Sequence, residues 1–187
     1  MNRAERMKKT RRLTYAALYF AIAMVLPFVT GNIPQIGSML CPMHIPVLLC
    51  GFVCGWPWGL AVGFFAPVVR SLLFGMPKLY PSAIAMTFEL AAYGALSGLM
   101  YRALPKKIWA IYLSLIAAML AGRLVWGGAE YLLLQMQNTA FTSAMFFAGA
   151  VTTAIPGIIL HIVLIPILVI ILKKAGLTLN DPPSRPI

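Results

Sequence analysis

Apolar positions in this chain do not alternate with polar ones. They run in blocks, separated by short stretches of glycine, proline and a few polar residues. The most informative block spans residues 39–77, MLCPMHIPVLLCGFVCGWPWGLAVGFFAPVVRSLLFGMP, and its only full charge is Arg70. Glycines fall at 51, 55, 59 and 63, and prolines at 42, 46, 57, 67 and 77. Small residues spaced by four share one face of a helix and let two backbones approach closely. This block therefore predicts two helices folded back on each other.

A membrane crossing needs about 20 apolar residues. On that measure the blocks predict spans at 13–29, 43–55, 59–74, 83–101, 108–126 and 145–172. The second is too short to cross as a straight helix, so part of the 30–42 loop, with Gly31, Asn32, Pro34 and Gly37, is expected to dip into the protein. GWPWG at 55–59 predicts a tight turn with Trp56 and Trp58 as interfacial anchors. Residues 75–82 read as a loop, and 127–144 as a long structured loop with a short helix. Pro156 and Pro166 predict kinks in the last span. The expected fold class is an all-α membrane protein, a six-transmembrane-helix bundle. A basic segment 1–12 precedes a single membrane domain 13–174, and a tail 175–187 follows. No internal repeat stands out.

Composition supports the class. The chain is 61% hydrophobic and 10% charged, against about 25% charged in soluble domains. Its net charge of +11 does not point to nucleic acid, because the basic residues cluster beside apolar blocks, the topology signal of membrane proteins. Arg3, Arg6, Lys8, Lys9, Arg11, Arg12, Arg102, Lys106, Lys107, Lys173, Lys174 and Arg185 fall on one predicted side, and only Lys78 on the other. This asymmetry predicts cytoplasmic N- and C-termini. The first apolar block continues to Val29 without a clear small-residue cleavage site, so it reads as a retained span. Cys41, Cys50 and Cys54 have no His or carboxylate at ligand spacing and read as packing residues.

No GxSxG, HExxH, paired Asp or Walker loop occurs, so neither an enzyme nor a resident metal or cofactor is expected. The chemistry lies in four charges within or at the outer ends of spans: Arg70, Glu89, Arg123 and Glu130. A charge in lipid is expensive and must face a partner or a watery cavity. Two readings stay open. An Arg70–Glu89 ion pair would join the third and fourth spans. Alternatively, an outward-opening cavity with spare positive charge would take a small anion, since arginine grips a carboxylate with two parallel hydrogen bonds. His44 opens the second span at the mouth of that cavity, and Asn32 and Gln35 lie in the loop that would close it. Tyr80, Tyr93, Trp126 and Tyr131 are candidate pocket walls, while His161 reads as structural. Ala17 and Ala21, one turn apart, form a smooth patch suited either to internal packing or to docking another membrane protein.

The basic N-terminus, Ala17-xxx-Ala21, PMHIPVLLCGF at 42–52, RSLLFGMP at 70–77 and FELAAYG at 88–94 together resemble the substrate-binding subunits of energy-coupling factor (ECF) transporters, in the branch that includes pantothenate carriers. The resemblance covers essentially the whole chain. It implies a six-helix bundle in a prokaryotic plasma membrane, with a vitamin held near the outer face by the loops at about 30–42, 75–82 and 127–143. It also implies a transmembrane coupling subunit contacting Ala17 and Ala21, two cytoplasmic ATPases that supply the energy, and transport by toppling of the binding subunit. The ligand expected is pantothenate or another small carboxylate-bearing vitamin. Cobalamin or pyridoxine subunits, and a solitary secondary carrier, are the alternatives.

Overall fold

The computed structural model describes residues 3–30, 37 and 39–180, with side chains at 5–29, 37 and 39–180. Every regular element among them is helical. Helix α1 (Arg3–Val25) carries the basic N-terminal residues as a direct extension of the first apolar block and passes into a 3₁₀ segment, Leu26–Thr30. Pro27 sits at that transition, where its missing N–H cannot continue the α-helical ladder. Helix α2 is His44–Cys54 and α3 is Trp56–Phe74. A single residue, Gly55, joins them at φ 99°, a conformation open to glycine. Pro57 follows in the first turn of α3, where its lost donor costs nothing. Gly75 ends α3 in the left-handed conformation, its N–H bonded to the Ser71 carbonyl at 2.9 Å.

A π-helical turn, Leu79–Ala83, leads into α4, Ile84–Ala103. Helix α4 stops where Leu104 becomes extended ahead of Pro105. Helix α5 runs Ile108–Met136. A short helix α6, Ser143–Phe147, a π-helical turn, Ala148–Thr152, and helix α7, Ile155–Lys174, complete the described chain.

Among the described residues, five helices are long and apolar enough to cross a membrane, those at Glu5–Val29, Trp56–Phe74, Leu79–Ala103, Ile108–Met136 and Ser143–Lys174. The expected sixth element, α2, has 11 residues and spans about 16 Å, half a hydrocarbon core. Every one of its residues is buried. It packs against α1, α3, α4 and α7 and forms the axis of the bundle. Its uniformly apolar sequence is that of a helix covered by protein on all sides.

The glycine spacing does what it predicts. A Cβ on Gly59 would lie 2.4 Å from the Gly94 carbonyl oxygen, and one on Gly94 would lie 2.1 Å from that of Gly59. Helices α3 and α4 thus touch backbone to backbone, antiparallel.

One expectation is corrected. Residues 127–136 are not loop but the continuation of α5. The run YLLLQM is made of helix formers apart from its tyrosine, and Gly127 is tolerated there because the Phe146 ring occupies the place of its missing side chain. Thr142 caps α6 by accepting the Met145 N–H at 3.3 Å. Pro156 opens α7 instead of kinking a continuous span, whereas Pro166 does lie inside that helix.

At the end of the bundle that carries Arg12, Lys106 and Lys173, the chain after α7 folds back. The Leu179 N–H donates to the Val53 carbonyl at 2.7 Å, and its own carbonyl accepts from Arg12 at 2.7 Å. Asn180, buried, donates to the Gly98 carbonyl at 3.0 Å. The first of these bonds satisfies the Val53 carbonyl in the last turn of α2, which the helix end leaves without an intrahelical partner.

Candidate functional site

Opposite that strap, α2, α3, α4, α5, the 3₁₀ segment after α1 and the turns around them enclose a cavity of about 660 Å³. Glu89 enters it from α4, Arg123 from α5, His44 from the first turn of α2 and Arg70 from the last turns of α3. Pro27, Gly37, Cys41–His44, Gly75–Lys78, Ser82, Met86, Trp126, Gly149 and Thr153 form the rest of its lining.

Glu89, Arg70 and His44 are 1%, 2% and 2% exposed. Three polar groups of this size survive burial only where each finds compensation. Glu89 finds it in Arg123, whose Nη1 lies 3.0 Å from Oε1, and in His44, whose Nε2 lies 3.4 Å from the same oxygen. Tyr93, one turn beyond Glu89 on α4, adds a side-chain hydrogen bond. Gly122 makes room for it, since a Cβ there would lie 2.5 Å from the Tyr93 ring. Arg123 Nη2 reaches the Cys41 sulfur at 3.5 Å. The His44 ring meets Tyr93 edge-on, with centroids 5.1 Å apart, and stacks on His161 at 6.0 Å.

Arg70 is held separately. It donates to the carbonyl of Met24 in the last turn of α1, and its guanidinium lies over the rings of Phe28 and Phe74, 4.9 Å and 5.2 Å from their centroids. Cation–π contacts of this kind fix the plane of the group.

The expected Arg70–Glu89 ion pair is therefore corrected: Glu89 pairs with Arg123. The reason is rotational. Leu90 and Gly94 face Gly63 and Gly59 of α3, so Glu89, about 100° around α4 from Leu90, points to α2 and α5. Of the sequence-predicted residues, the structure brings Arg70, Arg123, Glu89, His44 and Trp126 to the cavity. Tyr93 lies behind the ion pair. The Tyr80 hydroxyl instead donates to the Leu133 carbonyl and ties the π-helical turn to α5. Glu130 and Tyr131 sit on α5 outside the lining, with Tyr131 exposed. Asn32 and Gln35 lie outside the described residues. Ala17 and Ala21 are exposed on α1, while Ala16, Tyr19 and Ala23 of the same helix face the core.

Sequence reasoning missed Cys41, Ser82, Met86 and Thr153 as wall residues, and the place of His161 behind His44. His161 has no polar neighbour on its own helix. Only the packing of α7 on α2 brings the two rings together. Among the described residues no group of three or more His, Cys, Asp or Glu is placed to hold a metal ion.

A family model described as ECF transporter, substrate-specific component, matches residues 11–172. No curated protein and no solved structure matches the chain. A largely apolar cavity carrying a few buried charges, set in a helical bundle, suits a membrane subunit that binds substrate without transforming it, and the chain belongs to the substrate-specific component family of ECF transporters.

Proposed function

We propose that this protein captures a small carboxylate-bearing vitamin, pantothenate foremost, and passes it to an ATP-driven uptake complex. The observation that carries the reading is the charge of the cavity. Arg70, Arg123 and Lys78 line it, against the single carboxylate of Glu89. A buried, net-positive hollow attracts an anion, and about 660 Å³ falls in the range of pockets that enclose small organic ligands. In this reading the cavity opens outward in a prokaryotic plasma membrane, and both termini are cytoplasmic. Helix α2 and the segment before it make the sixth crossing, and Asn32 and Gln35 close the lid. The coupling subunit docks on Ala17 and Ala21, and two cytoplasmic ATPases complete the complex.

The test is mass spectrometry of the small molecule retained by the gently purified protein, followed by titration with pantothenate. A retained carboxylate that pantothenate displaces supports the reading. A retained cation, or a neutral ligand indifferent to pantothenate, overturns it. Co-purification of an ATPase pair separates this role from that of a solitary carrier.

A further inference from the structure

We infer that Lys78, not either arginine, takes the anionic group of the ligand, so that the ligand binds with its charged end at the mouth of the cavity. The inference rests on the anion-binding reading above and names the side chain that carries it.

The first ground is that the other two cations of the wall are already engaged. Arg123 Nη1 lies 3.0 Å from the Glu89 carboxylate, and its Nη2 lies 3.5 Å from the Cys41 sulfur. A ligand carboxylate on that guanidinium would sit beside Glu89 in a buried site, where like charges disfavour each other strongly. Arg70 is enclosed, donates to the Met24 carbonyl and packs against the Phe28 and Phe74 rings. Lys78 lines the same cavity but is exposed. Among the described residues its side chain makes no hydrogen bond or ion pair.

The second ground is the scarcity of counter-charge in the chain. Its only carboxylate side chains are Glu5, Glu89, Glu130 and Asp181. Glu89 faces Arg123 and His44. Glu5 belongs to the basic start of α1, and Asp181 directly follows the strap in the sequence. Glu130 lies outside the lining and makes no ion pair among the described residues. A partner for the Lys78 ammonium must therefore come from outside the chain. Topology sharpens the point. The basic residues outside the predicted spans gather on one side, and Lys78 alone stands on the other. The positive-inside bias does not explain a base there, and that one exception stands in the wall of the cavity.

The loop holds the base of this side chain in place. The Gly75 N–H donates to the Ser71 carbonyl at 2.9 Å, the Ala83 N–H donates to the Lys78 carbonyl at 2.9 Å, and the Tyr80 hydroxyl ties the next turn to α5. A compact ammonium on a flexible stem can meet a carboxylate from a range of directions. The ligand class that fits is a small organic anion with its charge at one end and an uncharged body, because the enclosed end of the cavity already holds the Glu89–Arg123 pair.

The experiment is equilibrium binding to the purified full chain in a non-ionic detergent, with two probe pairs that differ at the anionic group: pantothenate against pantothenol, and nicotinate against nicotinamide. With whichever pair binds, the unsubstituted protein prefers the carboxylate about fivefold at low salt, the worth of one partly exposed ion pair. An exposed side chain without a partner can be replaced without unfolding the bundle. Lys78→Arg keeps the preference, Lys78→Gln abolishes it by weakening the carboxylate alone, and Lys78→Glu reverses it. Lys174→Gln, at the opposite end of the bundle, changes net charge equally and leaves the preference in place. Salt gives a second reading: the preference shrinks at about 1 M salt, where charges are screened within about 3 Å, and Lys78→Gln shows no such salt dependence. A carboxylate preference that survives in Lys78→Gln and Lys78→Glu overturns the assignment and leaves the anion reading standing. The same result is expected if Lys78 serves a lipid phosphate instead. If no carboxylate outcompetes its neutral counterpart, or neither pair binds, the assignment falls together with the anion reading.

Discussion

Arg123 and Glu89 meet at 3.0 Å between neighbouring helices, in the wall of the cavity and with the glutamate side chain almost wholly enclosed. The pair makes each residue dependent on the other. Replacing one partner strands a charge in a low-dielectric interior, which costs about 3–5 kcal/mol, while replacing both by neutral groups of similar volume is nearly neutral. Arg123→Ala is expected to lower the thermal unfolding temperature in detergent sharply as well as weakening ligand binding. Glu89→Gln/Arg123→Gln is expected to recover most of the stability. Comparison of the single and double variants by unfolding of the purified protein checks this, and an Arg123→Ala variant as stable as the double variant would contradict it.

The contact between Gly59 and Gly94 predicts an asymmetric response to alanine. At Gly94 a methyl group would meet the Gly59 backbone at 2.1 Å, and backbone cannot step aside as a side chain can. Overpacking of this kind costs about 1–3 kcal/mol or more, so Gly94→Ala should reduce both yield and unfolding temperature. Gly128 lies in the exposed interior of α5 with no atom near its missing Cβ. Gly128→Ala should stabilise the protein by about 0.5–1 kcal/mol through helix propensity.

Cys41 lines the cavity, whereas Cys50 and Cys54 are enclosed in α2 between other helices. A small maleimide added without ligand should modify Cys41 first, and bound ligand should protect it. Peptide mapping of the labelled cysteine with and without ligand reads both the order of modification and the protection.

Ala17 and Ala21 lie on the exposed side of α1, away from Ala16, Tyr19 and Ala23 in the core. Ala17→Trp with Ala21→Trp should leave the unfolding temperature and ligand binding unchanged. If this face docks the coupling subunit, the same substitutions abolish co-purification of the partner subunits. Pull-down beside an unfolding scan separates loss of docking from loss of fold.

The sequence by itself determined where the helices lie and what kind of solvent surrounds them. The charge deficit, the block pattern of apolar residues and the glycines every four residues carry local information, and helix propensity and membrane transfer act locally. They located Arg70, Glu89, Arg123, His44 and Trp126, all of which line the cavity. They also marked 43–55 as too short to cross unaided, as α2 is. They failed at 127–136, where a pair of glycines and a few polar residues looked like a loop. The run YLLLQM is made of helix formers apart from its tyrosine, and the Phe146 ring packs where a Gly127 side chain would stand, a tertiary contact that the glycine pair does not reveal.

The rotation of each helix about its axis was decided only in three dimensions. Spacing along a chain gives a residue's depth and its face on its own helix, but not which neighbour that face meets. The backbone contact of Gly59 and Gly63 with Leu90 and Gly94 sets α4 at one angle. At that angle Glu89 turns to Arg123, and Arg70 is left to the aromatic rings near the end of α1. His161 joins His44 for the same kind of reason: the packing of α7 on α2 is a property of surfaces that no local pattern records.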